Sequence, residues 1–350
     1  MRRARGIKLA SVLAVGAMAL TACGGGTTGT AGGGSSTTSV KVGLAFDVGG
    51  RGDKSFNDLA AAGLDKAKTD LKITTKELSA VVGESDAAKA ARLKLLAQAG
   101  FNPIIAVGFA YAPGLKEVAP QFPKVKFAIV DGAASDVSGP NVTNLVFKEN
   151  ESSFLVGVAA AKATKTKNVG FIGGVQTPLI QKFQAGYQAG VAAVDKTIKV
   201  QVKYLSQPPD FTGFNDPAKA KVTAQGMYDG GADVVYHAAG GSGSGLFEAA
   251  AASKKWAIGV DSDQYATATA DQKQWILTSA LKGVDTAVFN FVEQAGKNQV
   301  KSGEQRFGLK ENGVGYSTSN PAVKQYESVI DGFKTQIIDG KIVVPATPAS

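Results

Sequence analysis

Residues 40–67, V-K-V-G-L-A-F-D-V-G-G-R-G-D-K-S-F-N-D-L-A-A-A-G-L-D-K-A, restrict the folds open to this chain more than any other stretch. Val40, Val42, Leu44 and Phe46 alternate over a short run bounded by glycine, which reads as a buried strand. Asp47 closes the run. Val48-Gly49-Gly50-Arg51-Gly52 follows, with three glycines for tight or positive-φ backbone. Asp53 or Ser55 is placed to cap a helix carrying Leu59, Ala62 and Leu64. In open α/β sheets, ligands bind beyond the carboxyl ends of the strands. Strand, loop and helix therefore bring a carboxylate, an aromatic ring and an amide (Asp47, Phe56 and Asn57) to one cleft edge.

The same rhythm continues. Residues 72–78, 103–108, 126–131 and 141–147 read as strands, with helices over 85–99 and 112–120 between them. A second set follows: helices over 151–162, 178–194, 215–228, from Leu246 onward and over 284–295, and strands over 168–174, 199–205, 232–237, 256–261 and 275–280. The last 50 or so residues read as a hairpin-like region over 305–316, a helix over 321–338 and a short strand over 342–344. Strands alternating with helices argue for α/β architecture with parallel, doubly wound sheets. Two Rossmann-like lobes with a cleft between them is the economical arrangement. The first spans about 40–147 plus a returning C-terminal segment, and the second about 148–262 plus a later one.

Residues 1–22 read as a secretory signal, with Arg2, Arg3, Arg5 and Lys8 as its basic region and residues 9–20 as its apolar run. That run is shorter than the roughly 20 residues a membrane span needs. Arg2-Arg3 is compatible with a twin-arginine signal, but the rest of that pattern is missing. Leu20-Thr21-Ala22-Cys23 resembles the bacterial lipobox, and Cys23 is the only cysteine. Such a resemblance implies a lipidated Cys23 and, because one acyl chain binds membranes only marginally, more than one chain on it. Residues 23–39, rich in Gly, Ser and Thr, then form a flexible tether. Four of the positive charges behind the net +9 lie in the signal. The remaining lysines are scattered, without the arginine-aromatic stripe of a nucleic-acid surface.

Several enzyme classes drop out. His237 is the only histidine, and with Cys23 used up no zinc or histidine-cysteine site can be assembled. The tract from Gly240 through Gly241 to Gly245, G-G-S-G-S-G, fails as a nucleophile elbow because Ser244 occupies the fifth position. It also lacks the G-K-[ST] ending of a phosphate loop. A strand-to-helix turn that lets a ligand approach the backbone is the simpler reading. What remains is a set of strand-end groups. Asp47, Asp131 and Asp261 close three buried runs. Singly, such residues are turn or cap residues; together they suit hydroxyl recognition, since a carboxylate accepts two hydrogen bonds from a vicinal diol. Phe56 and Phe183 lie in first helical turns, one from each expected lobe, and are placed to clamp a flat ring. Asn57 offers donor and acceptor to a purine edge. Lys282 is available to a sugar oxygen or to balance the carboxylates.

These residues carry a resemblance. D-V-G-G-R-G-D-K-S-F-N at 47–57 resembles the opening motif of the basic-membrane-protein family of binding lipoproteins, the purine-nucleoside receptor (PnrA-like) group. F-A-I-V-D-G at 127–132, the Phe183 stretch, H-A-A-G-G-S-G-S-G at 237–245, G-V-D-S-D-Q at 259–264 and S-A-L-K-G-V-D at 279–285 continue it over nearly all the mature chain. The resemblance implies a type I periplasmic-binding-protein fold that closes on a nucleoside and passes it to the permease and ATPase of an ABC importer. It implies a cofactor-free, monomeric, lipid-anchored protein on the extracytoplasmic face of the cell membrane. By the same resemblance, Phe56 and Phe183 sandwich the base while Asp47 and Asn57 read its edge. Asp131, Asp261 and Lys282 hold the ribose, with the backbone of Gly240 and Gly241 close by. A sugar-binding protein, a nucleosidase using an aspartate base, and a surface lipoprotein without a transporter remain compatible with the residues alone.

Overall fold

The computed structural model describes residues 40–349. The expected signal, Cys23 and the tether lie outside the described residues. One half is built from β1 (Lys41–Phe46), α1 (Phe56–Leu71), β2 (Thr74–Ser79), α2 (Asp86–Gln98), β3 (Ile104–Val107), α3 (Ala112–Val118), β4 (Phe127–Val130) and β5 (Val142–Phe147). The chain then crosses into α4 (Glu149–Ala163), β6 (Asn168–Val175), α5 (Pro178–Val194), β7 (Lys199–Ser206), α6 (Pro217–Asp229), β8 (Val234–Ala238), α7 (Gly243–Ser253) and β9 (Trp256–Asp261). Two short helices, α8 (Gln264–Thr267) and α9 (Ala270–Lys273), precede β10 (Ile276–Lys282). Last come α10 (Val284–Gly296), β11 (Gly303–Phe307), β12 (Val314–Tyr316) and α11 (Glu327–Ile338).

Two six-stranded sheets result, ordered β11-β5-β4-β3-β1-β2 and β12-β10-β9-β8-β6-β7. Every pairing is parallel except β10 with β12. Laid side by side, the two orders match β4 to β9 and β5 to β10, so the halves share an arrangement without a repeated sequence. Central strands such as β3, β4, β5 and β8 are buried along their whole length. Helices cover both faces, which is why these strands are continuously apolar rather than alternating. Three chain segments join the halves: β5 to β6 through α4, β10 to β11 through α10, and β11 to β12. α10 lies back on α1, where a Cβ at Gly63 would stand 2.3 Å from the Asp285 carbonyl oxygen.

The C-terminal expectations need correction. Residues 305–316 do not form a hairpin: β11 adds parallel to β5, Gly303 opposite Thr143, while β12 adds antiparallel to β10 in the other sheet. Two short runs joined by a glycine-containing connector carry no record of which sheet edge each will find. Residues 342–344 are not a strand. Val344 is buried as part of an irregular tail, and its carbonyl accepts from Asn150 Nδ2. The helix expected over 321–338 opens as a 3₁₀ turn, Pro321–Tyr326, before α11. α7 begins at Gly243, three residues before the expected start. Gly243 has to be glycine, since a Cβ there would come within 1.9 Å of the His237 ring.

Candidate functional site

A cleft enclosing about 580 Å³ of empty space, its open mouth included, lies between the carboxyl ends of the two sheets. Asp47, Phe56, Asn57, Asp131, Phe183, Gly240, Gly241, Asp261 and Lys282 all line it. Asp47 enters from the end of β1. Its backbone N–H donates to Asn57 Oδ1 at 3.1 Å, and its own carboxylate accepts from Val48 N–H at 2.8 Å. Gly108, at φ 101° after β3, makes room for it, since a Cβ there would lie 2.3 Å from Asp47 Oδ2. Burial in the cleft pushes the Asp47 carboxyl up to about 6, against the pull of the Val48 N–H.

The start of α1 is held by Asp53 rather than Ser55. Asp53 accepts from the backbone N–H of Ser55, Asn57 and Asp58 and from Asn57 Nδ2. Ser55, buried and free of that duty, donates its hydroxyl to Asp261 Oδ2 in the other half at 2.7 Å. The Asn57 amide is spent on the loop: Oδ1 on Asp47 N–H, Nδ2 on Asp53 and the Val48 carbonyl. Asn57 therefore sits at the cleft wall as a brace for Asp47.

Asp131 and Asp261 occupy equivalent places, at the ends of β4 and β9, and both adopt left-handed backbone, φ 66° and 62°. Aspartate is among the few non-glycine residues that take this conformation readily, and such outliers cluster at binding sites. Between them stands Lys282, from the end of β10. Its Nζ donates to Asp131 Oδ2 at 2.6 Å and lies 3.3 Å from Glu149 Oε1. Three rings surround the ammonium: Phe56 at 5.0 Å, Phe147 at 5.1 Å and Phe183 at 5.6 Å from their centroids. Burial works against the Lys282 charge, but Asp131, Glu149 and Asp261 outweigh it and hold the ammonium well above the usual lysine range. Burial raises Asp131 above the usual carboxylate range, with Lys282 opposing and Glu149 adding to the rise. Asp261 is raised for the same reason, against Lys282 and the Ser55 hydroxyl.

Two buried carboxylates, Asp131 and Glu149, thus pair with one buried ammonium whose charge Asp261 also favours; Lys182, partly exposed, reaches Glu149 at 3.5 Å. Asp131 Oδ1 is buried and finds no donor among the described residues. A buried carboxylate oxygen without a donor is costly, so this wall of the cleft calls for hydroxyl or N–H donors.

Sequence reading missed Ser55, Glu149, Phe109 and Phe214. Phe109 follows the strand-end Gly108, the same signal that pointed to the aspartates. Phe214 sits in the loop before α6, which Ser242 of the glycine tract secures by donating to the Gly213 carbonyl and accepting from Asp216 N–H. Phe109 also meets Phe211 edge to face, 5.9 Å between centroids. Glu149 carried no signal, being one of two glutamates at a helix start. His237 does not line the cleft; it is buried against Phe247 and Gln264, and burial pushes its pKa down to about 4. Among the described residues no three His, Cys, Asp or Glu side chains converge as a metal site, and no helix is long and apolar enough to cross a membrane.

Residues 40–348 match the family described as Bmp, ABC transporter substrate-binding protein PnrA-like. The chain belongs to this family. One Bmp relative, the ABC transporter nucleoside-binding protein BmpA of Lactococcus lactis, is 36% identical over 327 residues, covering 88% of this chain and 90% of its own. Basic membrane protein A of Borreliella burgdorferi is 34% identical over 319 residues, with 89% of each chain covered. A solved ABC transporter solute-binding protein from Aeropyrum pernix superposes with a TM-score of 0.75 at 30% identity, over 87% of this chain and 94% of that one. The chain is thus an extracytoplasmic ABC transporter substrate-binding protein with the type I periplasmic-binding-protein fold, and the Lactococcus and Aeropyrum relatives are named as binding proteins.

Proposed function

We propose that this protein captures purine nucleosides and hands them to the permease and ATPase of an ABC importer. It acts as a monomer, without cofactor or turnover, held on the outer face of the cell membrane by a lipidated Cys23. The observation that carries the nucleoside reading is the pairing, in one narrow cleft, of aromatic rings with a surplus of buried carboxylates around Lys282. A nucleoside has the matching halves, a flat base and a diol. Phe56 and Phe183 stack on the base, a contact worth roughly 1–3 kcal/mol per base. Asp47, braced by Asn57, accepts from the base edge. Asp131 Oδ1 and Asp261 accept from the ribose hydroxyls, Lys282 donates to a sugar oxygen, and Gly240 and Gly241 keep the wall low beside it. The name of the Lactococcus relative supports the same ligand class.

A thermal-shift screen of nucleosides, free bases and sugars tests this, since ligand that binds only the folded form raises the melting temperature. Inosine, adenosine or guanosine should shift it by several degrees, and free sugars should not. A shift with glucose or ribose alone would move the ligand to the sugar class, and release of free base from inosine would make the protein an enzyme.

Proton linkage gives a second test. Asp47 must be ionised to accept two bonds from a base edge, and its carboxyl titrates near 6 in the free protein. Ionisation of Asp47 is expected to contribute about a tenfold rise in inosine affinity between pH 5 and pH 7, to which the raised Asp131 and Asp261 carboxyls add. In Asp47→Asn that tenfold share should be lost, leaving only the rise that the raised Asp131 and Asp261 carboxyls contribute. Ligand-free stability runs the opposite way: a carboxyl raised in the folded state contributes stability below pH 4 that is lost as pH passes through 6. Wild type minus Asp47→Asn should show that fall. A flat binding profile in wild type would remove Asp47 from the base edge.

Cys23→Ser should move the protein from the membrane to the soluble fraction or the medium. Continued membrane association in that variant would end the lipid-anchor reading.

A further inference from the structure

Outside the cleft lining, a group of bonds ties the two halves together and converges on one carbonyl. Lys54 O accepts from Ser262 Oγ at 2.7 Å and from Gln264 Nε2 at 3.2 Å. The acceptor belongs to the loop before α1; of the donors, Ser262 lies in the turn after β9 and Gln264 opens α8, both in the other half. Neither Lys54, Ser262 nor Gln264 lines the cleft.

The aim of the Gln264 amide is determined from behind. Its Oε1 accepts from Val260 N–H at 2.8 Å, and a backbone N–H cannot donate to an amide NH₂, so the oxygen faces inward and Nε2 faces Lys54. The atom 2.9 Å from His237 Nε2 is that same oxygen, so His237 carries its proton on Nε2 and donates. Gln264 is 2% exposed and His237 fully buried, so neither bond competes with solvent.

We propose that Ser262 and Gln264 form a clasp that holds the halves closed without touching the ligand, and that His237 is a positioning residue that aims the Gln264 amide at Lys54. The inference rests on the binding-protein reading above. A ligand that binds only the closed arrangement has its apparent affinity reduced in proportion to the time spent open. The clasp therefore strengthens binding from outside the cleft, through slower release rather than faster capture.

The test follows inosine release by stopped flow in the full chain, as wild type, Ser262→Ala and Gln264→Met. Each variant is expected to release inosine about 3–10-fold faster, with association changed by less than about twofold. Release within about 1.5-fold of wild type in both variants would overturn the clasp. His237→Leu, similar in volume but without a donor, should match Gln264→Met, and the double variant should be no worse than either alone. Additive effects would remove His237 from the proposal. Should His237→Leu fail to fold, His237→Asn, which keeps a donor, replaces it and should release inosine more slowly than Gln264→Met. If wild type does not bind inosine, the nucleoside reading fails and the clasp is decided by X-ray scattering. A larger radius of gyration in the variants supports it, and identical radii overturn it.

Discussion

Lys282→Met is expected to lower the free energy of unfolding by about 3–5 kcal/mol at pH 7.5, the cost of removing one partner from a buried ion pair. Methionine keeps most of the volume and the contacts with Phe56, Phe147 and Phe183, so packing loss is a minor part. What changes is that Asp131, Asp261 and Glu149 are left without their buried cation, and only Glu149 retains a second lysine, Lys182. The pH dependence has a definite sign. The folded pKa of Lys282 lies above its ordinary value, so its stabilisation is intact at neutral pH and is lost only in strong alkali. Asp131 and Asp261 are already raised, and removing the cation raises them further. The variant can recover by taking up protons as pH falls, so its deficit should shrink between pH 7.5 and pH 5. Urea unfolding at the two values measures this. A loss under about 1 kcal/mol at both would mean that the carboxylates do not depend on Lys282.

Asp131→Asn is expected to cost ribosides about 1.5–3 kcal/mol of binding, tenfold to 150-fold, the range of a hydrogen bond to a charged group. Asparagine tolerates the left-handed backbone at φ 66°, so the chain need not move. Charge and acceptor capacity are lost: Oδ1, which is buried without a donor among the described residues, and Oδ2, which Lys282 holds at 2.6 Å. Free adenine lacks the diol and should lose less than about threefold. Calorimetry with adenosine and adenine separates the two. Equal losses for both would take Asp131 off the ribose.

Much of the architecture was legible along the chain. Short apolar runs ended by glycine or aspartate fell on strands, and capped runs fell on helices, because burial and end effects are local properties of ten or fifteen residues. The edges were not: β11 and β12, close in sequence, went to different sheets. The site was legible as positions. Strand-end aspartates and first-turn phenylalanines had to face the cleft once the sheets were parallel. Roles within it were less so. Ser55, expected as a possible cap, spends its hydroxyl on Asp261 of the other half, and Asn57 spends its amide on its own loop.

Residue order alone determined that strands would alternate with helices and that acids and rings would gather at the strand ends. Tertiary structure alone decided that two buried carboxylates pair with one lysine, that both strand-end aspartates turn left-handed, and that a buried histidine reaches the opposite half through Gln264. The first and last of these join groups about 20 to 210 residues apart, and the energy of a buried charge or hydrogen bond depends on the partners around it, which no local pattern encodes.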